Sequence, residues 1–471
     1  MIDKNPENKS FSVGTFALVN KFYSKLELQD VIGRLKSKGI PLDKLTKGMI
    51  TYKISHNLSI HKGAEWLNQL HILNQFQLKN FNERALYRAL EIIGQNEELV
   101  LTKLKNKLFS KFKFEHTDIN LDWSSIVLHG TASSLGRFGF SSDHRPDKRQ
   151  ITFGVGQLRK PINVPITLTI KEGNIPSNKH FNDTFLRCVK HLKPDSLIVI
   201  DRGANTKSNK KLVKSNSMHY LTARILTRKD NILFSKFSKL TTKKIIRTRN
   251  KMDKEIIYCT KIKENNEFLY ICFSEKLHEN QITKKERKID IDLKIIKQLS
   301  RKLKAGGKIK QTINLPDKIL LHETSIQKKI ITSSEKEVRN CLEKIYFNGR
   351  EGFYVLESSK NLTEKEAIEI YKSKDSIEKT MHSLKNEIEI KPVRVWSTSS
   401  ISGALIIGFL AQLFISLVRF ESDKLKSLST TTILESLKNL TLTIKSPKNR
   451  LIEQIISNID WICKEILPDF G

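Results

Sequence analysis

Cysteine and proline are sparse in this chain, with five cysteines and 11 prolines in 471 residues. Cys188, Cys259, Cys272, Cys341 and Cys463 form no CxxC pair and are odd in number. That argues against a disulfide framework or a zinc knuckle and fits a reducing cytoplasm. The histidines lack metal-ligand spacing, and Gly306-Gly307-Lys308 lacks the GxxxxGK[ST] pattern of a phosphate loop. No internal repeat or low-complexity tract stands out, and Met1 to Ser10 is polar, with no signal peptide visible. The one long apolar run, Gly403–Val418, has 16 residues and includes Gln412 and Ser416. It is short for a membrane span and reads as a buried core helix.

Acidic residues are also in deficit. Lys and Arg total 83 against 50 Asp and Glu, a formal charge of +33 and a pI near 9.8. The excess is spread from Lys4 to Lys464, which points to a polyanion partner, most simply nucleic acid. The Trp- or Phe-lined basic amphipathic helix that an anionic membrane would call for is missing, so no membrane partner is expected. The length suggests about two to four domains. Abundant Lys, Ile and Asn hint at an AT-rich genome.

The pattern divides the chain. Residues 1–113 read as a helical DNA-binding domain: Ile60–Leu73 is amphipathic, and Ala85, Leu86, Leu90 and Ile93 share a face that Asn82 caps and Gly94 ends. A plain helical bundle fits this pattern equally well. From Phe114 the order becomes β-β-β-α-β-α-β up to residue 225, with Ile119–Leu128, Ile151–Leu158 and Asn163–Lys171 as the first strands. Ser196–Ile200 (SLIVI) is wholly apolar and belongs in the middle of a sheet covered on both faces. Three meandering strands followed by helix-linked ones is the order of the ribonuclease-H-like fold. Residues 226–346 read as a basic inserted α+β domain, with a hairpin across Glu264-Asn265-Asn266 and a basic helix from Thr283 to Lys304. Residues 347–425 return to the core, and 426–471 form a C-terminal helical segment, with a capping box at Thr432–Glu435.

The segment Thr363–Lys385 reads as one helix, opened by a capping box between Thr363 and Glu366. Ile370, Ile377, Met381 and Leu384 form its apolar stripe. Tyr371, Lys374, Glu378 and Lys385 fall within about 60° of one another beside it. Asp122 lies within a strand and Asp201 at the carboxyl end of the buried one, on its rim. In the ribonuclease-H-like order those two strands are neighbours, and Glu378 completes an acidic set. Such a set needs cations: two Mg²⁺ or Mn²⁺ ions about 3.5–4 Å apart serve phosphodiester displacement. Lys374 and Lys385 would then neutralise phosphates, and Tyr371 would hydrogen-bond one. In the loop Asp143–Asp147, His144 and Arg145 are candidates for DNA contact, and Asp143 or Asp147 is a rival metal ligand. Trp123 and Trp396 are candidates for stacking on an unpaired base, or for a place in the core.

Tyr371-x2-Lys374-x3-Glu378-x6-Lys385 resembles the Y-x2-R-x3-E-x6-K signature of the Y-R-E-K group of DDE insertion-sequence transposases, with Lys where the group usually has Arg. That exchange keeps the charge but not bidentate phosphate binding. LDWSSIVLHG around Asp122, the loop GRFGFSSDHRPDKRQ (Gly136–Gln150), IVIDRG around Asp201 and LKNEIEIKPVRVWS (Leu384–Ser397) also resemble the group. The resemblance runs from about Phe114 to Phe420. It implies a ribonuclease-H-like core with an insertion between Asp201 and Glu378, and it places the first metal ligand at Asp122. It further implies a DNA transposase that binds terminal inverted repeats, cleaves DNA and joins the 3′ ends to a target duplex. The working complex would be a homodimer, at the nucleoid in a prokaryotic cytoplasm. A structure-selective nuclease on the same core and a catalytically inactive DNA-binding descendant remain the alternatives.

Overall fold

The computed structural model describes residues 9–56, 59–129, 131–227, 230–235, 237, 242–250, 253–306, 334–387, 397–445 and 453–468. The chain divides into two compact units, one of residues 1–222 and 371–471, the other of residues 223–370.

The first unit begins with strand β1 (Lys9–Ser12) and seven helices: α1 (Gly14–Lys25), α2 (Leu28–Gly33), α3 (Leu42–Ser55), α4 (Ile60–Leu67), α5 (Leu70–Phe76), α6 (Arg84–Gln95) and α7 (Glu97–Lys111). Then follow β2 (Ile119–Val127), β3 (Gln150–Leu158), β4 (Val164–Glu172), α8 (Ser177–Val189), β5 (Leu197–Ile200), α9 (Lys207–Ser215) and β6 (His219–Ala223). They lie side by side as β4-β3-β2-β5-β6. β2, β3 and β4 form an antiparallel meander, while β5 runs parallel to both β2 and β6. That order and these directions are those of the ribonuclease-H-like fold, which this unit adopts.

Strand period explains how β2 serves two surfaces. Leu121 and Trp123 face α8, whose buried His180, Phe181, Thr184, Phe185 and Cys188 recur at helical spacing. A Cβ at Gly154, the register partner of Trp123, would lie 2.7 Å from the indole Cδ1, so glycine there makes room for the ring. The Trp123 indole N–H donates to Thr184 Oγ1 at 3.0 Å and the ring packs on Phe181. Trp123 is thus a core residue, and its stacking candidacy falls away.

The second unit holds α10 (Asn231–Ser235), β7 (Lys243–Asn250), β8 (Asp253–Glu264), β9 (Glu267–Ser274), α11 (Glu275–Lys304), α12 (Glu335–Tyr346), β10 (Phe353–Ser358) and the start of α13 (Glu364–Lys372). Its strands run antiparallel in the order β10-β9-β8-β7. Asn265 and Asn266 both take left-handed backbone angles, as a two-residue hairpin turn requires. The helix expected from Thr283 starts instead at Glu275. Residues 353–358 pair with β9.

The chain closes with α14 (Asp375–His382), α15 (Thr398–Glu421), α16 (Thr430–Asn439), β11 (Thr441–Lys445), β12 (Glu453–Ser457) and α17 (Trp461–Ile466). α15 is long and apolar enough to cross a membrane by composition, but its side chains are buried inside the protein. The N-terminal helices pack around it and share one continuous core with the sheet. Three local expectations fail here. Gly94 does not end α6: a Cβ there would come 1.7 Å from Ser399 O, so the residue marks a close helix crossing. Ser429, not Thr432, caps α16. The C-terminal segment is not purely helical, since β11 pairs with both β1 and β12.

Candidate active site

Parallel pairing of Ile119 with Ile198 and Asn120 with Val199, continued two places, brings Asp122 beside Asp201. The structure closes this pair with Lys374, whose Nζ lies 3.6 Å from Asp122 Oδ1 and 3.5 Å from Asp201 Oδ1. The Asp122 side chain is 16% exposed and that of Asp201 50%, while Lys374 is buried. Burial pushes the Asp122 carboxyl above its ordinary range. Lys374 and the Trp123 amide, donating at 3.0 Å, pull it back, and Asp201 and Glu378 push it up again.

The expected single helix 363–385 is broken. Thr363 and Glu366 form their reciprocal cap, and the first segment ends at Lys372. Tight turns then run from Tyr371 O to Lys374 N and from Ser373 O to Ser376 N before α14 begins. The break has a cause in the sheet. Arg159 donates to Ser373 Oγ at 3.0 Å, while the cross-strand pair Asn120 and Gln157 reach Ser376 Oγ at 3.4 and 3.5 Å. These contacts hold the turn so that Lys374 enters the acidic pair. They also reset the helix phase: Ile377, Met381 and Leu384 are buried, but the first segment buries Ala367 and Ile368 rather than Ile370.

Glu378 sits exposed in the first turn of α14, close enough to act on Asp122 and Tyr371 through its charge. Among the described residues, no three His, Cys, Asp or Glu side chains draw together to metal-binding separation. The Tyr371 phenol is half-buried, and burial first, then Asp201, holds its proton firmly, so it acts as a donor. Lys385 turns to the β2–β3 loop, donating to Ser142 Oγ at 2.7 Å with Asp143 Oδ1 3.7 Å away. His144 is exposed with a left-handed backbone, and Arg145 is held by both oxygens of Asp147. Trp396 lies outside the described residues. Sequence reasoning overlooked Asn120, Gln157 and Arg159; polar residues at alternate positions of otherwise apolar strands were the available signal.

Behind Trp123, neither ring nitrogen of the buried His180 has a hydrogen-bond partner among the described residues. Burial brings its pKa to about 4, with Lys171 and Arg187 adding and Asp183 opposing. The folded value lies below the model-compound 6.5, so on acidification the unfolded chain takes up this proton first. Stability is expected to fall between about pH 6.5 and pH 4, by about 3 kcal/mol in all. His180→Phe should flatten that slope in urea titrations across the range.

No known family profile matches this chain, and no curated protein matches it in sequence. Among solved structures it is similar to a piggyBac transposase synaptic complex with hairpin DNA, solved by cryo-EM. The TM-score is 0.42 at 10% identity, covering 90% of this chain and 78% of that one.

Proposed function

We propose that this protein is a DNA transposase of the insertion-sequence type, cutting at terminal inverted repeats and joining the freed ends to a target duplex. The observation that carries the reading is the pairing of Asp122, within β2, and Asp201, at the carboxyl end of β5, around the Lys374 ammonium, in a chain of net charge +33. The donor set suits Mg²⁺ or Mn²⁺: all-oxygen, anionic and already requiring positive charge between its members. Asp122 and Asp201 would hold the metal, with Glu378 contributing from α14. When bound, such ions activate the attacking hydroxyl and offset charge on the leaving oxygen. Lys374 keeps the carboxylates together and, with Lys385 and Tyr371, offers donors to DNA phosphates. Two ends cut together imply a homodimer on DNA.

The test is a cleavage and strand-transfer assay with Mg²⁺ or Mn²⁺, on duplexes carrying any inverted repeats that flank the coding region. Joined product supports transposition; cutting without joining would show a nuclease. Lys374→Met separates the charge roles. In chelator the variant is expected to be about 2–3 kcal/mol less stable, because Asp122 stays largely buried beside a second carboxylate. Added Mn²⁺ should raise its melting temperature more than that of the unaltered protein. Equal shifts in both proteins would remove the metal from this pair.

A further inference from the structure

Phe138 and Phe140, between β2 and β3, are 62% and 86% exposed, and Phe140 is the most exposed large hydrophobic side chain among the described residues. The loop that shows them is clamped. Arg137 exchanges both backbone hydrogen bonds with Gln150, at 3.1 and 2.7 Å. A Cβ on Gly139 would come 2.1 Å from Gly173 O, so the backbone there lies hard against its neighbour. Ser142 donates its amide to Ser125 Oγ at 2.8 Å and its hydroxyl to Ser125 O at 3.0 Å. The backbone is fixed at residues 137, 139 and 142, and the side chains of 138 and 140 stand in solvent between these anchors. A fixed loop that leaves two phenyl rings in water gives up the stabilisation their burial would bring.

The position of the loop says what covers them. Ser142 accepts from Lys385 and lies 3.3 Å from Ser124 Oγ, on the same strand face as Asp122. Phe140 is two residues away, at most about 7 Å along the backbone. The same loop exposes Arg137, His144 and Lys148, together with Arg145, which Asp147 holds. Exposed aromatic faces on a basic loop, anchored to the strand that carries Asp122, match a nucleobase with its phosphates better than an apolar protein surface.

We propose that Phe138 and Phe140 form a stacking platform for an unpaired base next to the phosphodiester held at Asp122 and Asp201. The proposal rests on DNA as the substrate. The probes are a fluorescein-labelled duplex with a single-stranded arm carrying 2-aminopurine, and the same sequence fully paired, both in chelator. The unaltered protein should prefer the armed probe and quench its 2-aminopurine. Phe140→Ala and Phe138→Ala should each weaken armed-probe binding roughly ten- to hundredfold and change paired-duplex binding by less than about twofold. Phe140→Trp should restore both preference and quenching. Equal losses on both probes, or none, would overturn the platform. So would a change of oligomeric state in Phe140→Ala without DNA, which would assign the rings to a second copy of the chain. Equal binding of both probes by the unaltered protein rejects the platform and leaves the DNA reading standing; binding of neither rejects both.

Discussion

Asp122→Asn is expected to lower divalent-ion-dependent DNA cleavage and joining by about a thousandfold or more, a barrier increase of about 4 kcal/mol. Asparagine keeps the shape and can still accept the Trp123 amide, so the change removes charge and little else. Lys374 retains Asp201 as a partner, and a strongly desolvated carboxylate is gone. The melting temperature should therefore hold or rise while activity disappears, which separates a lost site from a lost fold. Glu378→Gln should act in the same direction. The comparison variant is Asp143→Asn, because Asp143 sits 3.7 Å from Lys385 in the adjoining loop. Should Asp143→Asn abolish cleavage in gel assays with Mn²⁺ while Asp122→Asn keeps it, the metal would belong to the loop.

The second large effect concerns packing. α6 and α15 cross with Gly94 against Ser399 and Gly403 against Leu90, where added Cβ atoms would lie 1.7 and 2.0 Å from carbonyl oxygens. A backbone cannot yield as the tip of a side chain does, so Gly94→Ala must push the helices apart. That crossing belongs to the same core as the sheet. A loss of about 3 kcal/mol or more is expected, above the usual range for overpacking because the obstacle is main chain. Gly33→Ala meets nothing within 4 Å and should stay within about 0.5 kcal/mol. Urea titration of the two variants checks this, and equal midpoints would refute the close crossing.

Much of the fold was legible because its signals are local. The all-apolar Leu197–Ile200 placed a central strand, the Asn265-Asn266 pair its hairpin, and Thr363 with Glu366 a helix start. The terminal three-stranded sheet was hidden because β1 and β11 are short and pair only across the whole length of the chain. Gly94 misled for a related reason: a glycine that stops a helix and one that lets another helix approach look alike until the neighbour is known.

The sequence by itself determined a basic chain with a β-β-β-α-β-α-β core, one carboxylate within a strand and another at the end of a buried one, since charge, strand period and apolar runs are properties of adjacent residues. Only the tertiary structure decided that helix 363–385 breaks at Ser373 and Lys374, because Arg159, Asn120 and Gln157 act on that turn from distant strands. Only it turned Trp123 inward and left Phe138 and Phe140 in solvent. Hydrogen bonds and steric exclusion between remote segments settle such matters, and neither is written in the local pattern.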